Sequence, residues 1–85
     1  MKNVTIYTSP LCGYCHAAKR LLSQKGVQYS EFNVMGNPSL RQEMLNKANG
    51  RHTVPQIFVG DIHIGGYDEL SALDRAGKFD KLLAA

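Results

Sequence analysis

Val4-Thr5-Ile6-Tyr7-Thr8-Ser9-Pro10-Leu11-Cys12-Gly13-Tyr14-Cys15-His16-Ala17-Ala18-Lys19 is the stretch whose reading decides the fold. Polar and apolar residues alternate into Tyr7, which predicts a strand over Val4 to Thr8. Ser9-Pro10-Leu11 forms a loop. From Cys12 the period changes: Cys15, Ala18, Leu21 and Leu22 fall on one face at helical spacing. The pattern predicts a helix that runs to Lys25, with Gly26 where a C-terminal cap belongs. Two cysteines thus stand at a strand-to-helix turn.

The remaining elements follow outward from that unit. Gln28 to Val34 reads as a second strand. Asn37-Pro38 supplies an N-cap and a proline at the first helical position. The second helix turns Leu40, Met44, Leu45 and Ala48 inward and ends before Gly50. The apolar runs Ile57-Phe58-Val59 and Ile62-His63-Ile64 flank Gly60-Asp61 and predict a tight hairpin. Gly65-Gly66 breaks the last strand. Asp68 is the expected N-cap of a third helix through Leu70 and Leu73, ending near Gly77. Phe79, Leu82 and Leu83 dock a last helical turn on the core. The order βαβαββα predicts a four-stranded mixed sheet flanked by three helices, with the first β-α-β parallel and the last pair antiparallel. The 85 residues have room for a single domain, 1–85.

Composition excludes several classes. Ten Lys and Arg against seven Asp and Glu leave a charge of +3, scattered along the chain without a basic block. Nucleic-acid binding ordinarily leaves such a block. No apolar run approaches the ~20 residues of a membrane span. The N-terminus lacks the apolar stretch of a signal peptide. The expected compartment is the cytoplasm, with no membrane partner.

Cys12 and Cys15 are the two cysteines of the chain. Two intervening residues in a helical first turn bring the sulfurs within disulfide reach, and a Cys-x-x-Cys beside a β-α-β pattern reads as a redox dithiol. The helix N-terminus favours a thiolate at Cys12, and a thiolate is the attacking species in disulfide exchange. Lys19 and His16 are candidate cations beside it. Cys15, on the apolar face, is the candidate resolving thiol. Three other readings stand beside this one. A zinc site needs two more ligands, for which His16, His52 and His63 lack the usual spacing. Cys12-x-x-Cys15-His16 also matches a c-type haem attachment, which requires export. The third is two ordinary buried cysteines.

Ile6-Tyr7-Thr8, Cys12-x-Tyr14-Cys15, Ala18-Lys19, Thr53-Val54-Pro55-Gln56-Ile57-Phe58 and Gly65-Gly66-Tyr67-Asp68 together resemble the small bacterial dithiol glutaredoxins, over essentially the whole chain. The resemblance implies an α/β thioredoxin-like fold and a glutathione-dependent thiol–disulfide oxidoreductase in cell redox homeostasis, with Cys12 and Cys15 catalytic. It implies a cis Pro55, with Thr53 and the Val54 backbone pairing with the cysteinyl part of glutathione like an added strand. It places the γ-glutamyl end on Gly66, Tyr67 and Asp68, where a helix N-terminus binds a carboxylate. Arg41 matches a basic position of the family's second helix and is the expected partner of the glycyl carboxylate. Tyr14 covers the sulfur or the ligand. The implied partners are glutathione as co-substrate and glutathionylated or disulfide-bonded proteins, with a monomeric enzyme.

Two positions depart from the family pattern. Ser9 stands where lysine is usual, which removes one anchor and one positive charge. Gly13 stands where dithiol members most often carry proline. Glycine there also resembles the monothiol members, and it supports an alternative: a [2Fe–2S] cluster held between two copies, each giving Cys12 and one glutathione. Ligation by four thiolates suits that count. No other metal site is expected.

Overall fold

The computed structural model describes residues 2–85. The elements are β1 (Val4–Thr8), α1 (Gly13–Gln24), β2 (Tyr29–Asn33), α2 (Pro38–Lys47), β3 (Gln56–Val59), β4 (Ile62–Gly65), α3 (Tyr67–Arg75) and α4 (Lys78–Ala84). The sheet order is β2-β1-β3-β4. β1 pairs parallel with β2 and antiparallel with β3, and β3 pairs antiparallel with β4. This is the expected mixed sheet of a thioredoxin-like fold.

The alternation along β1 and β3 divides the apolar residues between two faces. Val4, Ile6, Ile57 and Val59 pack with Ala18 and Leu22 of α1, Leu70 of α3, and Phe79 and Leu83 of α4. Tyr7 and Phe58 point the other way and pack with Val34, with Met44 of α2 and with Ala48 at its C-cap. β3 is therefore buried along its whole length. Side chains such as Leu22 and Phe79, with no exposure, each contribute roughly 1.5–3 kcal/mol by leaving water.

The local signals act as read. Asn37 caps α2, its Oδ1 accepting from the Leu40 N–H at 3.1 Å, with Pro38 at the first position. Gly26 takes φ 71°, and its N–H donates to the Ser23 carbonyl to close α1. Lys25 then reaches Asp74 at 2.7 Å and Asp80 at 3.1 Å, tying α1 to the last two helices.

Two expectations need correction. The flanking helices number four, not three among the described residues: the last helical turn is a separate seven-residue helix, α4, split from α3 by Gly77 at φ 72°. Asp68 is not the N-cap of α3. That position belongs to Gly66, because the Glu69 carboxylate reaches back to the Gly66 N–H at 2.7 Å and caps the turn from inside the helix. Among the described residues no helix is long and apolar enough to cross a membrane.

Candidate functional site

Cys12 is the N-cap of α1, in extended conformation, and its Sγ accepts a hydrogen bond from the Cys15 N–H at 3.1 Å. On its other side the Cys12 thiol donates to the Val54 carbonyl at 3.5 Å. Both cysteines are free thiols; Cys12 is half-buried and Cys15 has no exposure. Burial first, then the neighbouring Cys12, pushes the Cys15 thiol up to about 12. The Ser9 backbone amide and Lys19 pull it the other way. At neutral pH Cys15 is therefore protonated. Cys12, at the end of the helix with an N–H aimed at its sulfur, is the thiol placed to act as a nucleophile.

The expected cations are engaged elsewhere. Lys19 pairs with Glu31 at 3.0 Å, and Glu31 also accepts from Thr8 at 2.7 Å. Those contacts, Thr8 foremost, hold the Glu31 carboxyl below the usual range. The His16 ring meets the Pro10 carbonyl at 3.0 Å.

A cleft of about 280 Å³ opens at Val54, the residue whose carbonyl meets Cys12. Tyr14, Thr53, Val54 and Pro55 line it, and Gly66, Tyr67 and Asp68 form its far wall. The structure thus brings together seven of the eight residues singled out for ligand binding. The Val54–Pro55 bond is cis. Tyr14 and Tyr67 stack with ring centroids 6.1 Å apart. Gly66 to Asp68 form the start of α3, whose first N–H groups have no partner within the helix. Those N–H groups offer donors to an anion, beside the Asp68 and Glu69 carboxylates that line the same end.

Arg41 is the eighth, and it does not line the cleft. Its Nη1 donates to the His52 carbonyl at 3.2 Å. Arg51 lines the cleft instead and pairs with Glu69 at 3.0 Å. The Gly66 N–H, together with Arg51, keeps the Glu69 carboxyl below the usual range. Arg51 sits two residues before Thr53, and that adjacency was the available signal.

Among the described residues no three His, Cys, Asp or Glu side chains converge to hold a metal. The zinc reading has no ligand set there, and the cluster alternative has Cys12 as its one ligand from each chain. A Cβ at Gly13 would meet nothing within 4 Å, so no steric demand of the turn requires glycine there.

Comparison with known proteins gives one answer. The family model for glutaredoxin matches residues 4–64. The chain is 55% identical over 83 residues to glutaredoxin 3 of Escherichia coli strain K12, covering 98% of this chain and 99% of that one. It is similar to the solution structure of a glutaredoxin from Brucella melitensis, with TM-score 0.84 and 49% identity, covering 98% and 89% of the two chains. It is also similar to the crystal structure of a buckwheat glutaredoxin–glutathione complex, with TM-score 0.86 and 29% identity, covering 98% and 77%.

Proposed function

The chain belongs to the glutaredoxin family of thiol–disulfide oxidoreductases, and from that premise we propose that it reduces glutathionylated proteins and small mixed disulfides with glutathione as donor. The observation that carries the reading is the pairing of Cys12 Sγ with the Cys15 N–H, in contact with Val54, which lines a cleft that ends on the first turn of α3. The buckwheat relative, seen as a complex with glutathione, supports the same ligand.

In the proposed reaction the Cys12 thiolate attacks the glutathione sulfur of the mixed disulfide. A new S–S bond forms to Cys12, and the substrate thiol leaves. A second glutathione thiolate attacks that bond, glutathione disulfide leaves, and Cys12 returns to the thiolate. With a protein disulfide, Cys12 forms a mixed disulfide with the protein. Cys15 then attacks Cys12 Sγ, the Cys12–protein S–S bond breaks, and the protein thiolate leaves as a thiol with the proton that Cys15 gives up. A Cys12–Cys15 disulfide remains. Two glutathiones reduce that bond. Potentials near −200 to −230 mV are typical of glutaredoxins, so glutathione is an adequate reductant at roughly these values. Thr53 and Val54 hold the cysteinyl part, and Gly66, Tyr67 and Asp68 hold the γ-glutamyl end. Arg51, beside Gly65, Gly66 and Glu69, adds a cation at the γ-glutamyl end in place of the one expected from Arg41. The reading carries a cytoplasmic monomer with it.

The test is glutathione-dependent reduction of a small mixed disulfide, followed as NADPH consumed by glutathione reductase. Turnover that disappears in Cys12→Ser supports the reading, and absent turnover in the folded protein overturns it. The half-buried Cys12 thiol beside an open Gly13 also favours a second reading, a [2Fe–2S] cluster shared by two copies. Anaerobic reconstitution with glutathione tests it: a coloured dimer supports it, and a colourless monomer excludes it.

A further inference from the structure

Gln56 carries an amide with no exposure to solvent. Its Nε2 donates to the Thr53 carbonyl at 2.9 Å and to Thr53 Oγ1 at 3.3 Å. Its Oε1 meets His63 Nε2 at 2.7 Å. The direction of this chain is fixed by chemistry. The Thr53 carbonyl can only accept, so the amide NH2 must face it. Oε1 then faces His63, and only a protonated Nε2 can meet it. His63 therefore donates to Gln56, and Gln56 donates to Thr53.

The His63 ring is itself held. It stacks on Phe58 with centroids 5.0 Å apart and planes at 26°. Phe58 and His63 are register partners across β3 and β4, and a shift in that register falls at Ile57/Phe58. Gln56 and Phe58 lie two apart on β3 and share a face. The strand pair thus delivers the imidazole to the buried amide, and the amide holds Thr53, which lines the cleft.

We propose that His63 is a positioning residue: through Gln56 it fixes Thr53, and with it the cleft wall on which the ligand lies. This deepens the glutathione reading and rests on it. Without the imidazole N–H, Gln56 Oε1 is a buried acceptor with no partner, and Thr53 alone holds the amide in its orientation. Turned over, the amide would set its oxygen against the Thr53 carbonyl. The relay does not depend on the charge of His63, because Nε2 donates in both protonation states. The charged groups facing the ring are Arg51 from the loop before β3 and Glu69 from α3, one opposing and one favouring its protonation.

The test compares His63→Phe, which keeps the stack but loses the donor, with His63→Gln, which restores one. Gln56→Leu and the double variant His63→Phe/Gln56→Leu complete the set. The substrate is the mixed disulfide of glutathione and 2-mercaptoethanol. A buried acceptor left unpaired is expected to raise KM about five- to tenfold in His63→Phe. With positioning lost but chemistry intact, kcat should stay within about twofold. His63→Gln should recover most of the loss, and the double variant should be no worse than Gln56→Leu. Unchanged KM in His63→Phe, or losses that simply add in the double variant, would overturn the proposal. A second readout needs no substrate. In the free protein the Gln56 side-chain NH2 should exchange slowly with solvent, and fast in His63→Phe. If the wild-type protein does not turn over the substrate, the glutathione reading falls, and slow exchange retained in His63→Phe overturns the relay on its own.

Discussion

The Cys15 backbone N–H points at Cys12 Sγ from 3.1 Å, while the side chain of the same Cys15 is sealed from solvent. One residue thus supports the nucleophile with its backbone and stands in reserve with its thiol. The two roles separate by mutation. Cys12→Ser should abolish turnover of every disulfide. Cys15→Ser keeps the backbone N–H, so deglutathionylation should persist while reduction of protein disulfides through an internal disulfide is lost. Steady-state assays on both substrate types check this. Loss of deglutathionylation in Cys15→Ser would show that the thiol, not the N–H, is what Cys12 requires.

The cation at the cleft gives a second prediction. Arg51 lines the cleft and Arg41 is turned to the His52 carbonyl. Arg51→Met should raise the glutathione KM about two- to fivefold, the range set by a half-exposed ion pair. Arg41→Met should change it less. The reverse ranking would return the role to Arg41.

That reversal of arginines shows which parts of the molecule could be read from the chain. Asn37-Pro38, Gly26 and the Gly60-Asp61 hairpin are local devices, each complete within a few residues, and each acts as read. The Cys12–Cys15 unit was legible for the same reason. Arg41 against Arg51 is a question of tertiary placement, since the cleft wall forms only when the loop before β3 meets the start of α3. The α3 cap was misassigned because Glu69 reaches back to Gly66, which competes with the simpler cap at Asp68. The Gln56 relay left no pattern at all. A glutamine in an apolar strand carries no periodic signal, and its partners lie three residues before it and seven after it, on another strand.

Stability should fall with acid in two steps. Burial foremost, and then Arg51, lowers His63 from its ordinary 6.5, so folding favours the neutral ring. That contribution is complete above pH 6.5 and is lost as pH falls through the lowered value. Glu31 and Glu69 are both lowered from 4.5, by Thr8 and by the Gly66 N–H foremost. Their contribution is present above pH 4.5 and is lost as pH falls through their folded values. Calorimetric Tm should therefore hold near neutrality, decline slightly below pH 6.5 and decline again below 4.5. His63→Phe should lack the first decline. A first step of equal size in that variant would remove His63 as its source.

Gly65 should tolerate no side chain. It is buried at φ 118°, and a Cβ there would meet Arg51 Nη1 at 2.9 Å and the Glu69 carboxylate as well. Gly65→Ala sets the chain against both its backbone and the Arg51–Glu69 pair. It should cost about 2 kcal/mol or more, which at this size lowers Tm by roughly 10 °C. A Tm within experimental error of the wild type would mean that the turn into α3 rearranges freely.

Gly13 should behave in the opposite way. It is the first residue of α1, where the N–H has no helical partner and proline is favoured. The space around it is open. Cys12, the residue before it, has φ −112° and ψ 109°, near the extended conformation that a following proline imposes. Gly13→Pro should therefore fold unchanged and gain about 0.4–1 kcal/mol by restricting the unfolded chain. Thermal melts at fixed pH measure that gain. A loss of stability would show that the turn uses the freedom of glycine. The same variant bears on the cluster reading. If glycine is what admits a second copy at Cys12, Gly13→Pro should lose the coloured dimer on reconstitution while keeping disulfide turnover. If it keeps both, the cluster does not depend on Gly13.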